Sequence, residues 1–298
     1  MRRASVPGPR TATAPIPSVN YHLWEPCNMR CRFCFATFQD VKQSVLPKGH
    51  LPQAASEAII NELAEIGFEK INFAGGEPTL CKWLPDLIRH ARTRGMKTSI
   101  VTNGTMLTEA WLDRVHGALD WIALSIDTVV PATAQAMGRS TRWGPLDAET
   151  YLDRAEAVRR QGIRLKMNTV VTALNWQEDL SDFILALRPE RWKIFQVLPV
   201  AGQNDGRVED LLLSRRQFEA FVARHRALET RGITLVPESN DLMTGSYVMI
   251  DPAGRFFDNT AGRHTYSRPI LEVGAAAALR DVAVDPERFA ARDGRYAW

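Results

Sequence analysis

Cys27-Asn-Met-Arg-Cys31-Arg-Phe-Cys34 gathers three thiols within eight residues of a 298-residue chain that has only four cysteines. The C-x3-C-x2-C spacing puts three thiolates on one tight loop. A structural zinc ion takes four protein ligands, usually from two paired halves, and ordinary iron–sulfur proteins also supply four cysteines. Three thiolates leave one iron of a four-iron cluster without a protein ligand, and an open metal position is where a substrate can coordinate. The polar Asn28, Arg30 and Arg32 between the thiols make a poor core segment, which argues against three cysteines packed as small hydrophobes. Cys81 lies far along the chain, and on sequence alone it remains a possible fourth ligand.

Other residues gather at the ends of expected strands. Gly75-Gly76-Glu77-Pro78 follows the run Lys70–Phe73. Paired glycines let backbone approach a ligand closely, and successive N–H and C=O groups bind its polar ends. Thr102-Asn103-Gly104 and Ser125-Ile126-Asp127 close two further runs; by themselves they are ordinary turn and cap residues. The six histidines show no metal-ligand spacing, so packing or surface roles are expected for them.

Placing these residues requires a scaffold that brings successive strand ends together. Strands are expected at 18–24, 70–73, 97–102, 121–126, 163–171 and 192–198. Helices are expected between them at 53–66, 83–94, from the N-cap Thr108 to Gly117, across 131–160, at 176–187, and from Ser214 to Gly232. Six strand–helix units in succession argue for a parallel sheet with helices outside, because each crossover returns the chain to the same end. Six units fall short of a closed eight-stranded barrel, so the fold class is α/β, a partial, splayed (βα)6 barrel over 18–232. Residues 1–17 read as a mobile leader. Residues 233–298, with short β-like runs at 233–236 and 247–250 and a helix near 286–291, read as a C-terminal extension covering the substrate site.

Composition narrows the function classes. With 45% hydrophobic residues the chain is not largely disordered, and no stretch approaches the roughly 18 apolar residues of a membrane helix. The basic, proline-broken start has no apolar segment of a secretory signal. A net charge of +3 is too small to argue for nucleic acid. No membrane, no nucleic acid and a cytoplasmic location are expected.

The cysteine motif, with Phe33 before its last thiol, resembles the signature of radical S-adenosylmethionine (SAM) enzymes, whose partial (βα)6 barrel agrees with the six units counted above. The resemblance implies a 4Fe–4S cluster held by Cys27, Cys31 and Cys34, with SAM chelating the open iron. Reductive cleavage of SAM then yields a 5′-deoxyadenosyl radical, while the protein orients the cofactors and excludes water. It also implies SAM contacts from Phe33, Gly75, Gly76, Glu77, Asn103, Ser125 and, in Met-Gly-Arg, Arg139. Members with additional clusters need three or more further cysteines, which this chain lacks.

Ser18-Val-Asn-Tyr-His22, Lys70-Ile-Asn-Phe-Ala-Gly-Gly-Glu-Pro78, Arg191-Trp-Lys-Ile-Phe-Gln196, Val236-Pro-Glu-Ser-Asn240 and Ser246-Tyr247 resemble the viperin family. That resemblance implies conversion of a nucleoside triphosphate (CTP, UTP or GTP) to its 3′-deoxy-3′,4′-didehydro analogue, an antiviral chain terminator, with a low-potential donor such as flavodoxin or ferredoxin. The residues themselves offer a check. Lys166 and Asn168 share one face of an otherwise apolar strand, Lys70 and Asn72 repeat the arrangement, and Arg191 and Lys193 lead the sixth strand. A cationic interior suits three phosphates. The resemblance assigns substrate contacts to Lys70, Asn72, Lys166, Asn168, Arg191, Lys193, Asn240 and Arg263, with Arg268 nearby, and a catalytic hydrogen or proton transfer to Tyr247. Two rivals stand beside this reading. One is a non-catalytic metal or electron-transfer protein; the other is a radical enzyme acting on a peptide or small metabolite.

Overall fold

Polar residues at every second position of the parallel strands turn toward one cavity, while the apolar residues between them turn outward against helices. In the computed structural model, which describes residues 14–46 and 48–298, one sheet carries this pattern. Its strands are β1 Ser18–Trp24, β2 Lys70–Gly75, β3 Lys97–Thr102, β4 Trp121–Ser125, β5 Arg164–Val171, β6 Arg191–Gln196 and β7 Thr234–Glu238, then β8 Val248–Ile250, β9 Arg255–Asp258 and β10 Thr265–Pro269. Their spatial order is β10-β9-β8-β1-β2-β3-β4-β5-β6-β7. β1 to β7 run parallel in sequence order, β8 lies parallel beside β1, and β9 alone runs against the rest, pairing antiparallel with both β8 and β10. The described strands therefore form an open, parallel-dominated sheet rather than a closed barrel.

The outward residues Ile71 and Phe73 of β2, Leu165 and Met167 of β5, and Trp192 and Ile194 of β6 are fully or almost fully buried. They share one core with Ile59, Ile60 and Leu63 of helix 53–65 and Leu84, Leu87 and Ile88 of helix 84–93. Burying each such side chain is worth about 1.5–3 kcal/mol. This fixes the register, because a slip of one residue in β5 would drive Lys166 into that core and turn Leu165 into the cavity. Thr108 caps its helix by accepting from Trp111 N–H, and Ser214 forms a capping box with Gln217.

Three departures from the sequence reading have local causes. The run 233–236 continues the sheet as a seventh parallel strand, paired with β6, instead of opening a separate tail. The helix expected from Trp176 starts at Ser181, because Asn175 holds the preceding loop by donating to Asp127 and Val170 carbonyls at 2.8 and 3.0 Å. Of the proposed leader, residues 1–13 lie outside the described residues. Ile16 is fully buried in the core, and Pro17 C=O accepts from Glu69 and Lys70 N–H. Among the described residues no helix is long and apolar enough to cross a membrane.

Candidate active site

A cavity of about 690 Å³ opens along the inner face of the sheet. Its wall is read directly from the alternation: Asn20 and His22 from β1, Lys70 and Asn72 from β2, Lys166 and Asn168 from β5, Arg191 and Lys193 from β6. The cations enter at the strand starts, whereas Cys27, Cys31 and Cys34 line the cavity from the loop that follows the C-terminal end of β1. One chamber thus holds thiols at one end and ammonium groups at the other.

The cysteine loop is tied down on three sides. Asn28, between the first two thiols, donates to Thr105 at 2.8 Å and accepts from Asn103 at 2.8 Å. Arg30 and Arg32 N–H donate to the carbonyls of Gly138 and Met137. Gly138 has φ +71°, and a Cβ there would lie 2.2 Å from Arg30 O, so only glycine lets this turn press on the loop. The turn delivers Arg139, which donates to Cys31 Sγ at 3.6 Å, pairs with Asp127 at 3.0 Å and reaches the Ser125 carbonyl. Phe33 packs with Met137, Val197, Val208 and Leu211 beneath the loop.

Gly76 lines the cavity and is also held by a constraint the sequence did not show. A Cβ there would meet Glu25 O at 2.1 Å and Pro26 O at 2.5 Å. The close approach it permits is therefore between the end of β2 and the start of the cysteine loop. Gly75 is likewise pressed against the Trp24 carbonyl. Glu77 is buried, and its carboxylate accepts from Thr79 N–H and hydroxyl, Thr102 hydroxyl and Asn103 N–H at 2.5–3.1 Å. It lines the cavity yet clamps the end of β3 to that of β2.

None of the three thiols is in a disulfide. Burial pushes Cys27 up to about 12 and Cys34 up to about 11, and neighbouring thiols of the trio add to both shifts. Among the described residues no group of three or more His, Cys, Asp or Glu side chains is arranged to hold a single metal ion. A single ion needs every ligand about 2.3 Å from one point, whereas a four-iron cube takes each thiolate on a different iron. Three adjacent free thiols facing one cavity fit the cube and not the lone ion. Cys81 is buried in the main core and does not line the cavity, so it is not a fourth member of the set.

At the other end, Lys70 and Lys166 both donate to the Tyr296 hydroxyl, and among the described residues no carboxylate forms an ion pair with either. Burial depresses Lys70 to about 7. Burial and the charge of Lys70 carry Lys166 well below the usual lysine range. Arg191 pairs with Asp293 at 2.6 Å. Asn72 donates to Asn20 and accepts from Ser99; Asn168 Oδ1 is buried without a partner. Lys193 is held otherwise: its ammonium lies 2.6 Å from Glu238 and donates to Tyr247 Oη at 2.6 Å. Tyr247 donates to Glu238 at 2.5 Å, and the Arg292 guanidinium covers its ring at 3.6 Å.

Of the residues expected from sequence, Asn240 and Arg263 do not line the cavity. Asn240 N–H donates to Gln196, which does. Arg263 is exposed, and Arg268 is engaged by Asp281 at 2.8 Å. Both arginines flank or belong to β10 at the far edge of the sheet, which is why they miss the chamber. Arg292 and Tyr296, which sequence reasoning did not single out, stand in it instead. The only signal for them was an Arg/Tyr/Trp-rich stretch with no periodicity.

Comparison with known proteins follows this geometry. The Radical SAM superfamily model matches residues 23–184. An S-adenosylmethionine-dependent nucleotide dehydratase of Flammeovirga pacifica is 50% identical over 283 residues, covering 95% of this chain and 96% of the relative. One of Lacinutrix mariniflava is 50% identical over 96% of this chain, which spans 60% of that relative's length. The RSAD2 dehydratase of Danio rerio is 35% identical over 94% of this chain and 78% of its own. Among solved structures, Streptococcus suis SuiB bound to S-adenosylmethionine shares the fold with a TM-score of 0.66 at 16% identity, covering 94% of this chain and 68% of its own. The chain belongs to the radical SAM superfamily and, within it, to the S-adenosylmethionine-dependent nucleotide dehydratases.

Proposed function

We propose that this enzyme removes water from a nucleoside triphosphate, taking the ribose 4′ hydrogen and the 3′ hydroxyl to leave the 3′-deoxy-3′,4′-didehydro nucleotide. The observation that carries the substrate is the Lys70–Lys166 pair, two buried amines without a carboxylate in the same cavity as three free thiols. Buried like charges are unfavourable until an anion joins them, and a phosphate chain is that anion.

Cys27, Cys31 and Cys34 would hold a 4Fe–4S cluster, with SAM bound between Arg139, Ser125 and the Gly75–Glu77 turn. Bound there and reduced, these cofactors would supply a carbon-centred radical able to take a hydrogen atom from the sugar. The chain's own residues do the rest. Lys70, Lys166 and Arg191 anchor the phosphates at the strand starts, and Asn72 and Asn168 stand one inward position further along. Lys193 and Tyr247 face the ribose, toward the thiol end. Tyr247 is the group placed to serve the substrate after hydrogen abstraction. Dehydration then consumes one proton and one electron, the electron coming from a flavodoxin- or ferredoxin-like donor. Thiols feeding such a cluster need a reducing compartment, which supports a cytoplasmic activity.

The test is anaerobic reconstitution with iron and sulfide, followed by reductant, SAM and CTP, UTP, GTP or ATP offered separately. At least one triphosphate is expected to stimulate 5′-deoxyadenosine release and to lose 18 mass units on the order of one water per turnover. If none does, the proposal fails. A Cys31→Ala variant should lose the cluster's visible absorbance as well as SAM cleavage.

A further inference from the structure

Glu238, the last residue of β7, is completely buried. Its carboxylate accepts the Tyr247 hydroxyl proton on one oxygen at 2.5 Å and meets the Lys193 ammonium on the other at 2.6 Å. Arg292 Nη1 stands 3.7 Å from that second oxygen. Tyr247 is thereby fixed from three directions: its proton aimed at Glu238, its oxygen bonded by Lys193, its ring face under Arg292. Tyr247 and Lys193 line the cavity and Glu238 does not. A carboxylate fully removed from water costs several kcal/mol even when paired, and a structural lysine anchor would not need its free oxygen turned to a phenol.

We propose that Glu238 is a positioning residue for Tyr247 that also accepts its phenolic proton when the phenol gives one electron to the dehydrating substrate. The inference rests on the role given to Tyr247 above. The step balances as follows. After the 4′ hydrogen has gone, the 3′ C–O bond breaks and the departing hydroxyl takes a proton from the Lys193 ammonium, leaving as water. The resulting substrate radical cation takes one electron from Tyr247, closing the 3′,4′ double bond. The Tyr247 O–H proton crosses its existing hydrogen bond to Glu238, leaving a neutral tyrosyl radical. One electron from the low-potential donor and the proton returned from Glu238 restore the phenol, and one solvent proton recharges Lys193. Burial lowers Lys193 to about 8 against the opposing pull of Glu238, so its proton is available near neutral pH.

The experiment compares reconstituted parent, Glu238→Gln, Glu238→Asp and Tyr247→Phe enzymes on the triphosphate the parent uses. It measures didehydro product formed per 5′-deoxyadenosine, KM, and the electron paramagnetic resonance spectrum under limiting reductant. Glu238→Gln should keep the 5′-deoxyadenosine burst and KM, while product per 5′-deoxyadenosine falls about tenfold or more. The tyrosyl signal should weaken with it, and Glu238→Asp should recover part of the yield. If the yield is unchanged in Glu238→Gln but falls in Tyr247→Phe, the proposal is overturned and the Tyr247 reading stands. An unchanged yield in Tyr247→Phe sinks the Tyr247 role itself. If both Glu238 variants lose the burst, the residue serves folding or substrate binding, which also overturns the proposal.

Discussion

Two groups of cations face the same cavity, and they differ in what neutralises them. Lys70 and Lys166 share only a phenol, that of Tyr296. Lys193, two positions along β6 from Arg191, has the Glu238 carboxylate at 2.6 Å. The first pair is left wanting negative charge, and in the proposed function its partner arrives with the substrate. The second already has its counter-ion and is built to hold a side chain in place. Positive charge in a cavity therefore has two meanings here, separable by asking where the nearest carboxylate is.

Breaking the first group should have the largest effect. A Lys70→Met/Lys166→Met double variant removes two charge-assisted contacts of about 1.5–3 kcal/mol each, so triphosphate affinity should fall about a thousandfold, read by calorimetry. The nucleotide-free protein should lose no stability in denaturant. Lys193→Met should do the reverse to stability: it strands Glu238, and unfolding free energy should drop by about 3 kcal/mol. Equal stability losses in the two variants would erase the distinction.

A smaller effect follows from pH. Lys70 is depressed to about 7 in the nucleotide-free protein, and phosphates bound beside it restore its ordinary range. Below pH 7 the amine is already charged and contributes no slope of its own. Above pH 7 binding must take up a proton, so affinity should weaken by up to about tenfold per pH unit. Calorimetry in two buffers of different ionisation heat at pH 8 should show net proton uptake, and release would contradict the assignment. Smallest of all, Arg263→Ala should leave KM within about twofold, since exposed charges away from a site contribute little.

The first six strands, their parallel run and the inward face were legible because they follow from a period of two and from repeated strand–helix units, both local signals. Lys166 between Leu165 and Met167 announced its face, and the thiol spacing announced its chemistry. Glu238 and Tyr296 were not legible, because their meaning lies in partners 45 and 226 residues away, Lys193 and Lys70, that no periodicity links. β9 and β10 are four and five residues long, too short to show alternation. Gly76 was seen, but its second constraint was not. The need for glycine comes from the Glu25 and Pro26 carbonyls packed against it, neighbours set only by the folded chain.

The Tyr296 hydroxyl sits between Lys70 and Lys166 and bonds both, on the point where an incoming phosphate oxygen would reach the same two amines. If these lysines anchor the phosphates as proposed, substrate entry at that point is an exchange rather than an addition. A tethered phenol competes at an effective concentration fixed by the chain and not by the cell. The affinity a nucleotide displays is the difference between two occupants, and a nucleotide short of one phosphate would have less with which to displace the first.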